Sequence, residues 1–237
     1  MIPFKDNVPS RTYPLVTILL IGVNLIVFLY ELSFPEGQLA GFFELNGLVP
    51  SRIKEIGVRP LSTGLAVSRG ILFSMFLHAG WLHLIGNMWY LWIFGDTIED
   101  RMGHLRFLAF YVLCGIVASL THVAFHSESS VPAIGASGAV AGVLGAYLIS
   151  YPFARILTII PLFIVWPVIQ LPAIVVLGSW FAVQLVSGTA GLAGTGAEAA
   201  GIAWWSHIGG FLAGLVLVGF LARPETRRYK WERVKWK

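Results

Sequence analysis

Four polar side chains stand out inside the apolar runs: His83, Asn87, Ser137 and His207. Polar groups inside a membrane-length apolar segment are costly and mark function by default. Ser137 lies in Gly135-Ala136-Ser137-Gly138, where the glycines allow a tight turn and the close approach of a second backbone. A serine hydroxyl becomes a nucleophile when a base takes its proton. Backbone N–H groups at a helix start can hold a developing oxyanion. Taken alone, the same serine reads equally well as a helix N-cap. His207, the one histidine of the last apolar run, is the candidate base; alone, it also reads as an interfacial histidine. His83 and Asn87 stand at i and i+4 and share one helix face. Both can donate to an oxyanion, and both can equally act as polar glue between helices. His78 lies nearby, at a loop edge. A metal site made of His78, His83 and His207 would want a carboxylate second shell and would leave Ser137 without a role, so neither a metal nor a cofactor is expected. His122 and His126, also at i and i+4, fall at the outer end of a run where water reaches and read as surface residues.

The elements that must position these groups follow from composition. The chain has 237 residues, 57% hydrophobic and only 12% charged, against about 25% charged in soluble domains. That leaves too little polar surface for a water-soluble globule and makes a bilayer the natural solvent. The apolar runs are long rather than alternating, which excludes a β-barrel. The single cysteine, Cys114, excludes an internal disulfide. The expected fold is an all-α membrane protein with one domain over 1–237. Spans are expected at about 15–33, 80–98, 105–124, 136–151, 172–188 and 204–222, followed by a basic tail at 223–237. The stretch 34–79 is too mixed to span and reads as a long loop. Residues 155–171, β-branched and broken by Pro161 and Pro167, read as an interfacial hairpin or loop. Residues 188–203, rich in Gly and Ala, read as a mobile loop.

Six spans put both termini on one side. With the N-terminus cytoplasmic, the inner segments hold twelve Lys and Arg and the outer segments four, so both termini are expected in the cytoplasm. Seven of these basic residues lie in the last fifteen, among Tyr229, Trp231 and Trp236. A basic, aromatic tail after an apolar helix is a membrane-surface anchor rather than a nucleic-acid arm. Spans two, four and six then enter from outside. From His83 to Glu99 is 16 residues, from Ser137 to Arg155 is 18, and from His207 to Arg223 is 16. These correspond to about 24, 27 and 24 Å at the helical rise, within a hydrocarbon core of about 30 Å. The three residues therefore share one level, several Å below the outer surface. Gly138, Gly142 and Gly145 give span four a small-residue surface, and Gly210 and Gly214 give span six a matching one. Such surfaces pack backbone to backbone and would bring Ser137 to His207.

Together, His78-AGWL-His83-LIG-Asn87, Glu99-DRM-Gly103, Gly135-Ala136-Ser137-Gly138 and His207-IGG-FLA-Gly214 resemble the rhomboid family of intramembrane serine proteases. The resemblance runs from the first span to about residue 222. It implies a six-helix bundle in which Ser137 is the nucleophile and His207 the base. His83, Asn87 and the Ser137 N–H would form the oxyanion hole, with His78, Gly135 and Gly138 in support. The implied partners are transmembrane protein substrates and the lipid bilayer, cut near the outer face of a bacterial or archaeal plasma membrane. A hydrated cavity open to the outside is expected, and span five with the 188–203 loop is the expected lateral gate. Some members carry an aromatic residue one turn after the nucleophile, stacked on the base. Here that position is Ala141, so Trp204, Trp205 or a glycine-rich contact is expected to orient His207. A catalytically inactive relative would usually lack the Ser or the His. A transporter would want internal repeats or deep charges.

Overall fold

The computed structural model describes residues 1–35, 37–162, 164–192 and 202–223. Among the described residues the α-helices are α1 Leu15–Glu31, α2 Gln38–Asn46, α3 Pro60–Phe73, α4 Trp81–Met102, α5 His104–Phe125, α6 Ser137–Ser150, α7 Ala173–Leu192 and α8 Trp204–Leu221. Three strands, β1 Ile2–Asp6, β2 Arg155–Ile159 and β3 Val168–Pro172, form one antiparallel sheet in the order β1-β2-β3. Helices α5, α7 and α8 are long and apolar enough to cross a membrane. The helical segment Pro60–Phe76 and α4 would pass together as one span, bent by 79°. The apolar helices α1 and α6 are shorter. The protein is a mostly helical membrane protein.

Helix α6 is the axis of the bundle. Every residue from Gly138 to Tyr147 is buried. Its neighbours come this close because their contacts are glycines. A β-carbon on Gly210 would overlap the carbonyl oxygen of Gly138, and one on Gly214 would overlap that of Gly142. On the α6 side, a β-carbon on Gly145 would strike the Phe211 carbonyl, and one on Gly142 would strike Cys114 of α5. The facing glycine surfaces expected from the sequence are thus a backbone-to-backbone contact. With 14 residues, α6 is only about 21 Å long, less than the roughly 30 Å hydrocarbon core.

The opposite end of the bundle is tied by a carboxylate. Helix α1 begins after Pro14 without a side-chain cap of its own. Its first free N–H groups, Val16 and Thr17, donate instead to Glu99 of α4 at 2.9 and 2.8 Å, and Thr17 Oγ1 adds a third bond at 2.7 Å. His104 Nδ1 also contacts Glu99. A fully buried carboxylate is tolerable here because donors and the positive end of a helix surround it. Directly after α4, Gly103 turns the chain into α5 at φ +83°, in the left-handed region open to glycine.

Three expectations need correction. The fold is not purely α. The 155–171 segment is a hairpin, β2–β3, and Ile2–Asp6 pairs along its free edge, with Ile2 opposite Ile159 and Asp6 opposite Ile156. Strand β1 is too short to read locally; its pairing edge and side-chain partners come from distant residues. Trp89 Nε1 donates to the Pro3 carbonyl, and the Tyr147 hydroxyl donates to Asp6 at 2.6 Å. The 34–79 stretch is no plain loop, since it contains α2 and α3. Helix α7 runs on to Leu192, into the segment expected to be a loop. The remainder of that segment, 193–201, and the basic tail from residue 224 lie outside the described residues.

Candidate functional site

Ser137 is the first residue of α6, and the preceding Ala136 occupies the N-cap position without a side-chain cap bond. The hydroxyl is therefore not spent as an N-cap. The loop leading to it is pinned from the 47–76 region. Leu48 and Ala133 exchange two backbone hydrogen bonds at 3.1 and 2.8 Å, and Gly135 N donates to the Ser74 carbonyl at 2.8 Å. Gly135 adopts φ +125°, and a β-carbon there would lie 2.5 Å from His83 Nε2 and 3.7 Å from Ser137 Oγ. Glycine is thus required twice over, for its backbone angle and for the His83 ring. The same geometry sets His83 beside Ser137.

Gly138, next in the chain, faces Ser206: a β-carbon on it would lie 2.6 Å from Ser206 Oγ. His207 follows Ser206 on α8 and lies within electrostatic reach of His83 and His122. No hydrogen bond joins Ser137 to His207 among the described residues. His207 is held from the other side, with Nδ1 2.8 Å from Gln184 Oε1 of α7. The rings of Trp180 and Trp204 lie 5.9 and 6.2 Å from the imidazole. Of the expected orienting groups, Trp204 is beside the ring, whereas Trp205 stacks on Phe125 at 3.5 Å. Ala141 is buried in α6.

Asn87 is buried and its Nδ2 lies 3.0 Å from His78 Nε2. An amide NH₂ has two N–H groups, so one remains for another acceptor. His78 lies at the expected loop edge, just before α4, and is buried there; its backbone N–H donates to Glu31, and its ring packs edge-on to His83 at 5.0 Å. It braces the His83 and Asn87 face. His122 also departs from expectation. It is buried and stacked on His126 at 4.7 Å. It lines a cavity of ≈ 20 Å³ together with Gly135, Ser137 and Ser206. That is room for about one water. A larger cavity of ≈ 190 Å³, lined among others by His122, His126, Trp204 and Trp205, shares His122, Ala133 and Ala203 with it. Among the described residues no group of three or more His, Cys, Asp or Glu could hold a metal.

The Rhomboid domain model matches residues 67–224, a stretch that holds His78, His83, Asn87, Ser137, Gln184 and His207. The chain belongs to the rhomboid family. Among its rhomboid relatives, it is 30% identical to Rhomboid protein 1, mitochondrial, of Saccharomyces cerevisiae over 169 residues, covering 70% of this chain and 45% of that protein. It is 29% identical to Rhomboid-like protein 11, chloroplastic, of Arabidopsis thaliana over 155 residues, covering 63% of this chain and 51% of the relative. To Rhomboid protease GluP of Bacillus subtilis it is 41% identical over 78 residues, 33% of this chain and 15% of that one. The matched part spans a quarter to about half of the length of the first relatives. With mitochondrial and chloroplastic proteins among them, these relatives give no support to the expected bacterial or archaeal plasma membrane.

Sequence reasoning missed Gln184 and Ser206. A glutamine in an apolar run was the available signal for the first. Nothing local distinguishes Ser206, whose place depends on how α8 meets α6.

Proposed function

We propose that this rhomboid is an intramembrane serine endopeptidase that hydrolyses peptide bonds in or near transmembrane segments of other membrane proteins. The observation that carries the reading is Ser137 at the start of a buried glycine-faced helix, uncapped and close against the helix bearing His207. His207 takes the Ser137 proton on Nε2 as Oγ attacks the scissile carbonyl, then returns it to the leaving amine. Water deacylates the enzyme. His83, the second N–H of Asn87 and the Ser137 backbone N–H stabilise the oxyanion. A catalytic hydrogen bond absent from the unliganded geometry forms when substrate closes the site. The Bacillus subtilis relative, named Rhomboid protease GluP, agrees with this chemistry.

In the same reading α1, α4, α5, α6, α7 and α8 are the six spans, with both termini cytoplasmic and the site opening to the outer side. The cavity at His122 and His126 supplies water. Helix α7 is the lateral gate, since only 28% of its most apolar window is buried, against 50% for α5. Purified protein with a single-span reporter should cleave it, and Ser137→Ala and His207→Ala should each abolish cleavage. Cleavage surviving Ser137→Ala sinks the dyad. No cleavage of any reporter, with no labelling of Ser137 by a fluorophosphonate, favours the alternative of a catalytically inactive membrane-protein binding factor.

A further inference from the structure

We infer that Gln184 of α7 is the positioning residue of His207, so that the base is set only while α7 is docked against α8; this rests on the dyad reading above. Gln184 is 4% exposed, and both ends of its amide are used. Its Nε2 donates to the Trp180 carbonyl at 3.0 Å, and its Oε1 lies 2.8 Å from His207 Nδ1. A carbonyl can only accept, so the NH₂ end must face Trp180 and the oxygen must face the imidazole. The oxygen in turn requires the proton on Nδ1. In neutral imidazole that leaves Nε2 as the acceptor, the form a general base needs.

The acceptor is neutral. It selects tautomer and ring orientation as the acid of a triad would, without that acid's stabilisation of the imidazolium. It takes the place left open by Ala141. The support is also conditional on α7. One turn beyond Gln184, a β-carbon on Gly188 would touch Ile208 at 3.3 Å and Trp204 at 3.4 Å, so this glycine lets α7 approach α8 at the level of the histidine. A shift of α7 by about 1 Å would carry the 2.8 Å contact past useful hydrogen-bond length. Opening α7 outward therefore disengages the base, and closing it restores the base.

The test is full-length protein in micelles, comparing wild type with Gln184→Leu and Gln184→Glu. It uses reporter cleavage and fluorophosphonate labelling of Ser137 across pH. Gln184→Leu should lower kcat and the labelling rate about 100-fold with little change in KM, as expected of a lost tautomer lock. Gln184→Glu restores an acceptor and should recover most of kcat, with the acidic limb of the profile moved up by about one pH unit by the carboxylate beside the imidazole. Wild-type kcat in Gln184→Leu overturns the inference. So does a loss in Gln184→Leu that Gln184→Glu neither repairs nor shifts in pH. If Ser137→Ala still cleaves, it is the dyad that has failed; if labelling needs His207 but ignores Gln184, it is the positioning role.

Discussion

Replacing Gly210 by alanine tests the packing on which the whole site depends. The added β-carbon would overlap the Gly138 carbonyl oxygen. Neither partner is a side chain that can rotate away: one is the backbone of α6, the other the new atom on α8. Contact distances for carbon on carbonyl oxygen are about 3.3–3.6 Å, so the helices must part by on the order of 1 Å at this level. Overpacking of this kind costs about 1–3 kcal/mol. The larger effect is on chemistry. Gly138 adjoins Ser137, and Gly210 lies one turn beyond His207 on α8, so the displacement falls on both groups. A misplacement of about 1 Å can cost about 100-fold in rate, or roughly 2.7 kcal/mol of barrier. Gly219→Ala, where a β-carbon would meet nothing within 4 Å, is the control and should match wild type. Reporter cleavage and thermal unfolding in micelles would be measured for both. Wild-type cleavage and melting in Gly210→Ala would refute the backbone contact and with it the placement of Ser137 beside α8.

Two further outcomes follow from the contacts at the Glu99 and Asp6 end of the bundle. Glu99→Gln leaves one acceptor oxygen for the Val16, Thr17 and His104 donors and turns an NH₂ toward them. It should lower stability by about 3 kcal/mol or more, seen as an earlier SDS-titration midpoint; an unchanged midpoint would refute the tie. Burial raises the Asp6 carboxyl from 3.8 to about 7, with the Tyr147 hydrogen bond opposing and the Asp96 charge adding to the rise. The docked strand therefore keeps a proton that the released strand loses above pH 4. Docking of β1 should be strongest below about pH 4, weaken up to pH 7 by at most about 4 kcal/mol, and stay level above. Hydrogen exchange at residues 2–6 should show more protection at pH 5 than at pH 8, after correction for intrinsic rates. Asp6→Asn should flatten the difference, and a flat wild-type profile would contradict the burial of this carboxyl.

The residues proposed for chemistry were legible because the bilayer makes a polar side chain in an apolar run expensive. His83, Asn87, Ser137 and His207 stood out against their surroundings, and the glycines of 138–145 and 210–214 declared two faces able to meet. The long apolar helices were legible from hydropathy, whereas α2 and α3, in a stretch of mixed polarity, were not. What depended on tertiary structure were partners far apart in the chain. Gln184 looked like one polar residue in an apolar helix until α7 was laid against α8 and its amide met His207. Glu99 looked like a boundary charge until the start of α1 came to rest on it. His122 looked like a surface residue until the folded chain set it in the wall of the cavity beside Ser137. Strand β1 had no signal, because a strand of five residues is stabilised by the edge it joins and not by its own residues. Local sequence carries periodicity and the cost of burying a group; which acceptor meets which donor is decided when the helices close around α6.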